Sequence, residues 1–104
     1  MSSSKDYLDF ILGQLSDLED ITYRPMMGEY ILYYRGRIFG GIYDDRLLIK
    51  PVKAATDAMP EAEYELPYEG AKEMLLADCV DDRDRLQALV EAMYPQLPEK
   101  KKKK

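Results

Sequence analysis

The side chains of this chain that could support chemistry are mostly carboxylates. Two adjacent pairs, Asp44-Asp45 and Asp81-Asp82, have the ligand type that Mg²⁺ prefers and that glycoside hydrolysis uses. The chain holds 20 Asp and Glu in 104 residues, however, so close pairs arise from composition alone. Asp44-Asp45 is better explained as a hairpin turn, and Asp81-Asp82 as the start of a helix. The carboxylates therefore do not indicate a metal site.

The remaining reactive side chains argue against catalysis. Histidine is absent, which removes the usual general base of nucleophilic sites and the commonest metal ligand. Cys79 is the only cysteine, so an intrachain disulfide and multi-cysteine metal patterns are excluded. Neighbouring Asp78, Asp81 and Asp82 disfavour a thiolate, and we interpret Cys79 as a small buried side chain. We expect no enzyme, no catalytic residue, no metal and no cofactor.

Apolar spacing predicts three helices. The first is capped by Ser3 or Ser4, and the last begins at Asp81 or Asp82. A short third helix is predicted over residues 52–59, where alanines favour helix. The apolar stripe of the first helix is Tyr7, Phe10, Ile11, Leu15 and Leu18, and that of the last is Leu86, Leu89, Val90, Met93 and Tyr94.

The segment 22–50 predicts three consecutive strands. Two-residue turns at Arg35-Gly36 and Asp44-Asp45 would place Tyr34 opposite Arg37 and Tyr43 opposite Arg46. Strict alternation then puts one set of side chains beneath the helices and leaves the other uncovered. The first set is Ile31, Tyr33, Ile38, Gly40, Ile42, Leu47 and Ile49. The second is Tyr30, Leu32, Tyr34, Arg37, Phe39, Gly41, Tyr43, Arg46, Leu48 and Lys50.

Two further strands near residues 63–66 and 72–76 would complete an antiparallel sheet of about five strands. The element order is then helix, three strands, helix, two strands, helix. The predicted fold class is α+β, with two layers and the helices on one face of the sheet.

The uncovered face interleaves aromatic and basic side chains, a mixture enriched in protein interfaces. We predict a partner-binding surface made of Tyr30, Tyr34, Arg37, Phe39, Tyr43, Arg46 and Lys50. The partner would be another protein or a second copy of the chain in a homodimer. The alternative carries equal weight: the tyrosines are ordinary strand formers, and the basic residues pair with local acids.

The charge distribution bears on the kind of partner. Five of the 15 basic residues form the run 100–104, which leaves ten basic and 20 acidic residues in the other 99, a net charge of −10. This acidic body disfavours nucleic acid. Direct nucleic-acid binding through Arg24, Arg37, Arg46, Lys50 and the lysine run is the second hypothesis. A third is an enzyme or a small-ligand pocket built from Arg24, Tyr30 and nearby carboxylates, although no spacing selects a reaction.

The length suits one domain, predicted over residues 1–98, followed by a disordered lysine-rich tail over residues 99–104. No apolar run approaches the roughly 20 residues that a membrane helix needs. The start has an acidic residue before any apolar stretch, unlike a secretory signal. We expect a cytoplasmic protein.

One segment carries a family resemblance. The run TYRPMMGEY at 22–30, followed by Gly36, Phe39 and the strand DRLLIK at 45–50, resembles the N-terminal domain of the TfoX/Sxy competence regulators. That family has a typical Arg-x-Met-Phe-Gly-x-Tyr motif. Arg24, Met26, Gly28 and Tyr30 keep it, while Met27 replaces the Phe. The segments 67–68 and 70–72, the last helix and the lysine-rich end also resemble stand-alone members, so the resemblance covers residues 7–104.

The resemblance implies a two-layer α+β domain similar to secretion-chaperone-like folds, without established enzymatic activity. Full-length relatives regulate competence genes together with a cyclic-AMP receptor protein and carry a second, helical domain, for which we expect no counterpart in these 104 residues. In the motif, we interpret Gly28 as a bend or bulge between extended pieces, Pro25 as a strand start or edge, and Met26 and Met27 as fillers of core gaps.

Overall fold

A computed structural model describes residues 5–26, 28–67 and 69–97. The predicted helix caps Ser3 and Ser4 and the lysine-rich tail lie outside these ranges. The helices are α1 (Lys5–Gln14), α2 (Lys53–Ala58) and α3 (Arg83–Met93), and a 3₁₀ helix (Tyr94–Gln96) follows α3. The strands are β1 (Ile21–Met26), β2 (Glu29–Tyr34), β3 (Arg37–Ile42), β4 (Leu47–Ile49), β5 (Tyr64–Glu65) and β6 (Met74–Leu76).

The strands form one antiparallel sheet in the order β1-β2-β3-β4-β6-β5. The α+β class is therefore confirmed, with six strands rather than five. The additional strand is β1, which pairs with β2 from Ile21↔Tyr34 to Met26↔Glu29. Gly28 has a φ of 86° in the turn between them, so it makes a hairpin rather than a bend within one strand.

Both predicted turns are confirmed. Arg35-Gly36 and Asp44-Asp45 have positive φ at both central residues, the conformation that matches the twist of a two-residue hairpin. Tyr34 pairs with Arg37 as expected. Tyr43 and Arg46 exchange both backbone hydrogen bonds, at 2.9 and 3.0 Å.

The predicted sorting of side chains into two faces is wrong over β2 and the start of β3. The register shifts between Leu32 and Tyr33: Tyr33 lies opposite Ile38, while Leu32 lies opposite Gly40. Phe39 is thus the extra residue of a β-bulge, which reverses the alternation along β3. Because of this bulge, both Phe39 and Ile42 face the helices, although strict alternation would place them on opposite faces.

The helices and one face of the sheet enclose a single core. Leu8 and Ile11 of α1 and Leu15 just after it pack in this core, whereas Phe10, predicted to be in the same stripe, is 41% exposed. The predicted α3 residues Leu86, Leu89, Val90 and Met93 are buried there. The sheet contributes Leu32, Tyr34, Phe39, Ile42, Leu47, Ile49 and Leu75, and Ala77 follows directly after β6.

The start of α3 is also explained by its sequence. The Asp82 carboxylate accepts a hydrogen bond from the Arg85 backbone N–H at 3.2 Å, which confirms the predicted cap. The Arg85 guanidinium donates to the Ala58 carbonyl at 3.1 Å and so links α3 to the end of α2.

Among the described residues, no helix has the length and hydropathy to cross a membrane.

Candidate functional site

The two central aromatic residues of the predicted partner surface belong to the core. Phe39 is fully buried and Tyr34 is 6% exposed, and both pack beneath the helices. The expectation that they lie on an uncovered face is therefore wrong. The cause is the bulge at Phe39, which shifts the register between β2 and β3. Tyr30 and Tyr34 consequently lie on the helix side of β2.

The two arginines of that predicted surface are engaged within the fold. Arg37 shares the helix face with Tyr34, its cross-strand partner. Its guanidinium donates to the Tyr94 carbonyl and lies over the Tyr94 ring. Arg46 forms an ion pair with Glu65, and the two side chains are only 30% and 28% exposed. The Nε of Arg46 also donates to the Tyr43 carbonyl at 3.1 Å. Neither arginine is presented for a partner.

The other three predicted residues have different surroundings. Tyr30 is half-buried on the helix face, where its ring meets that of Tyr23 edge-on at 5.7 Å. Tyr43 is 6% exposed, and its ring lies on the opposite face over Gly41, where an added Cβ would come within 2.7 Å of Cε2. Lys50 is half-buried beside that ring. Only Tyr43 and Lys50 therefore border the uncovered side.

The uncovered side, here called the open face, carries the side chains that were predicted to lie in the core. Cross-strand pairing places Arg24 beside Ile31, and Thr22 beside Tyr33 and Ile38. Ile31, Tyr33 and Ile38 are all half-buried although no helix covers them. Three apolar or aromatic side chains thus remain partly in solvent on this face of the sheet.

A groove of about 350 Å³ crosses the open face. The loop between β5 and β6 forms one of its walls with Pro67, Ala71 and Lys72. Its apolar lining includes Met26, Ile31, Ile38 and Met74, and Lys50, Lys72 and Glu73 supply the charged groups. This volume is at the lower end of small-molecule sites.

The lysines of the groove give it a preference for negative charge. Among the described residues, neither Lys50 nor Lys72 forms an ion pair, and the same holds for Arg24 on the neighbouring strands. An ammonium beside apolar surface attracts a carboxylate or phosphate more strongly than one in bulk water. The open-face groove is thus suited to an apolar segment that carries negative charge.

The family-motif residues build the hairpin beside this groove. Arg24 and Met26 lie on the open face of β1, Gly28 makes the turn, and Tyr30 returns to the helix face. Met26 is 37% exposed and lines the groove, so its expected role as a core filler is wrong. Met27 lies outside the described residues.

The described ranges contain no group of three or more His, Cys, Asp or Glu that could hold a metal ion. They also contain no buried side-chain nitrogen or oxygen without a hydrogen-bond partner. Burial raises the pKa of the Cys79 thiol, an effect that Arg85 partly offsets and Asp78 increases, so this thiol is not activated.

The groove residues missed as functional candidates include Ile31, Ile38, Lys72 and Met74. For Ile31 and Ile38 a signal existed, because the pair Gly40-Gly41 inside a strand pattern indicates a bulge. For Lys72 and Met74 no local signal exists. They reach the groove only because β6 inserts between β4 and β5.

Comparison with known proteins places the chain in a family. The model of the TfoX N-terminal domain matches residues 13–96. The chain is 31% identical, over its whole length and 91% of the relative, to an uncharacterized 12.7 kDa protein in the trpE 5′ region of Spirochaeta aurantia. No solved structure matches the chain significantly. The residues 13–96 span every strand, α2 and α3, and this chain belongs to the TfoX N-terminal domain family.

Proposed function

We propose that this chain is a small cytoplasmic, non-catalytic interaction domain that captures a protein segment in the open-face groove. The observation that carries the proposal is the unpartnered combination of half-buried Ile31 and Ile38 with Lys50 and Lys72. Apolar anchors in a groove supply affinity, and charges at its rim select the partner. The preferred segment has apolar side chains and at least one carboxylate.

Only the lysines of the groove favour an acidic segment, since the rest of the body is acidic. Outside the groove, a net charge of −10 over residues 1–99 repels acidic proteins at long range. Binding would therefore depend on short-range contacts with Lys50 and Lys72. A regulatory role, which the family resemblance implies, would be exercised through the captured protein.

A nucleic acid is the second candidate because Arg24, Lys50 and Lys72 share the open face without ionic partners among the described residues. Half-exposed Tyr33 adds a ring on which a base could stack. Two of the four cations first assigned to this function, Arg37 and Arg46, are held inside the fold. The acidic body also opposes it, so a protein segment is the better candidate.

The test compares two charge insertions on opposite layers. Ile38→Glu places an acid in the groove, and Phe10→Glu makes the same change on the exposed side of α1. Tagged wild type and both variants are used to recover bound proteins from the native host. We expect the proteins bound by the wild type to be retained by Phe10→Glu and lost from Ile38→Glu.

A second pair of measurements separates the two candidates. Lys50→Glu with Lys72→Glu should weaken capture of an acidic segment at constant salt. A fluorescent single-stranded oligonucleotide at low salt tests the alternative, which predicts binding that falls steeply with added salt. Recovery of the same proteins by Ile38→Glu as by the wild type would contradict the groove as their binding site.

A further inference from the structure

The outer edge of β1 offers hydrogen-bonding groups that the sheet does not use. β1 is the first strand of the sheet order and, within residues 5–26, 28–67 and 69–97, has a neighbour only on the β2 side. The Arg35 N–H donates to the Asp20 carbonyl at 3.0 Å, so Asp20 and Arg35 occupy a hydrogen-bonded position of the ladder. Hydrogen-bonded and non-hydrogen-bonded pairs alternate along antiparallel strands. The pairs Ile21↔Tyr34, Tyr23↔Leu32 and Pro25↔Tyr30 are therefore the non-hydrogen-bonded ones.

This alternation fixes which backbone groups face outward. The N–H and C=O of Ile21 and of Tyr23 point away from β2, as does the C=O of Pro25. Pro25 has no N–H, so its position removes a donor from the free edge and no bond from the β1–β2 ladder. The edge can therefore accept another strand at Ile21 and Tyr23, but its ladder ends at Pro25.

A groove lies beside the same edge. It occupies about 540 Å³ between the end of α1, the loop that follows and β1, and its apolar lining includes Leu12, Leu15, Leu18 and Ile21. Tyr23, 41% exposed, stands at this groove on the helix face. Strand addition uses main-chain bonds for affinity and side-chain pockets at alternate positions for specificity, and both are present here.

We propose that the occupant of this edge is β1 of a second copy, added antiparallel about a two-fold axis at Thr22. In this register Ile21 of each copy lies opposite Tyr23 of the other, and the two pairs exchange four backbone hydrogen bonds without using Pro25. The side chains of Ile21 and Tyr23 meet on the helix face beside the groove, where each Tyr23 ring covers apolar surface of the other copy.

Charge and pairing favour this register over others. It brings Arg24 of each copy near Asp20 of the other, which lies just before β1 with a φ of 63°. Neither residue forms an ion pair among the described residues. It also places the two Thr22 side chains opposite each other, a favourable cross-strand pair. A two-fold axis at Tyr23 would instead set Ile21 against Pro25 and leave the Ile21 carbonyl without a donor. The dimer joins two six-stranded sheets through short edges, so it belongs to the weak, small-interface class.

The first test removes an outward donor of β1 together with the Tyr23 ring that the dimer would bury. Tyr23→Pro removes the outward N–H while leaving the β1–β2 ladder bonds in place, as Pro25 does. Pro25→Ala is the matched control, because it restores an outward donor. Sedimentation up to about 1 mM protein should show a dimer for the wild type and Pro25→Ala, with the dimer Kd of Tyr23→Pro raised at least about tenfold.

The second test does not depend on the folding of Tyr23→Pro. In a Cys79→Ala background, Thr22→Cys places thiols opposite each other at a non-hydrogen-bonded pair, where Cβ atoms are close enough for a disulfide. Mild oxidation should crosslink Thr22→Cys much faster than Arg24→Cys. Equal rates overturn the proposal, as does a wild type that stays monomeric and so leaves the edge to a strand of another protein.

Discussion

The guanidinium of Arg37 lies 4.3 Å from the centroid of the Tyr94 ring, and its Nη1 donates to the Tyr94 carbonyl at 3.0 Å. The same nitrogen is 3.5 Å from the Leu97 carbonyl. Tyr34 completes the contact by packing its ring edge-on against Tyr94, with centroids 5.4 Å apart. These contacts hold the start of β3 against the 3₁₀ helix near the end of the described residues.

Replacing Arg37 should destabilise the protein without reference to any partner. Arg37→Gln loses the cation–π contact and a charge-assisted hydrogen bond, a change of about 2 kcal/mol in the free energy of unfolding. Arg24→Gln is the matched control, since Arg24 is exposed on β1. Urea unfolding of both variants measures the difference. Equal stabilities of the two variants would show that the Arg37–Tyr94 contact contributes little.

Local turn chemistry explains why both central hairpins could be predicted. Gly36 tolerates a positive φ, and the aspartates at 44 and 45 belong to the few other residue types that do so at modest cost. Gly40-Gly41 indicates a bulge but does not fix its position, because the burial of Phe39 in the core decides it. That single extra residue exchanged Tyr34 and Phe39 with Tyr33 and Ile38 between the two faces.

Only the part of the candidate site that lies within the segment 22–50 was predictable from the sequence. Lys50 and the motif residues Arg24 and Met26 were singled out from the sequence, and they do border the open face. The opposite wall of the groove comes from residues 67–74, far away in the chain. Its position depends on β6 pairing with β4, a long-range contact that no local pattern encodes.

The two faces can be distinguished by neighbouring substitutions in β3. Phe39→Ala removes a fully buried ring and should lower the free energy of unfolding by about 3–5 kcal/mol. Ile38→Ser, one residue earlier on the half-buried open face, should cost clearly less because its site remains partly in water. Chemical unfolding of the two variants ranks them. The opposite ranking would mean that Ile38, and not Phe39, faces the core, as strict alternation along β3 predicts.

Gly41 should not tolerate even a methyl group. A Cβ there would lie 2.7 Å from the Tyr30 carbonyl oxygen and from the Tyr43 ring, so β2 or the ring must shift. We expect Gly41→Ala to lower the free energy of unfolding by about 1–3 kcal/mol. Gly13→Ala is the control: nothing lies within 4 Å, Gly13 is within α1, and the change should stabilise by about 0.5–1 kcal/mol. Thermal unfolding shifts of the same sign would contradict this assignment.

The buried thiol of Cys79 should make stability depend on pH in the alkaline range. Burial raises its pKa in the folded state, since the thiolate loses its hydration there. Above the ordinary thiol pKa of about 8.5, the unfolded chain therefore releases a proton that the folded chain retains, and the free energy of unfolding falls with pH. Cys79→Ala lacks this contribution, so the free energy of unfolding of the wild type relative to the variant should stay constant from about pH 6 to 8 and fall above about pH 8.5. Urea titrations across this range measure the difference, and one that does not change with pH would mean that the thiol ionises equally in both states.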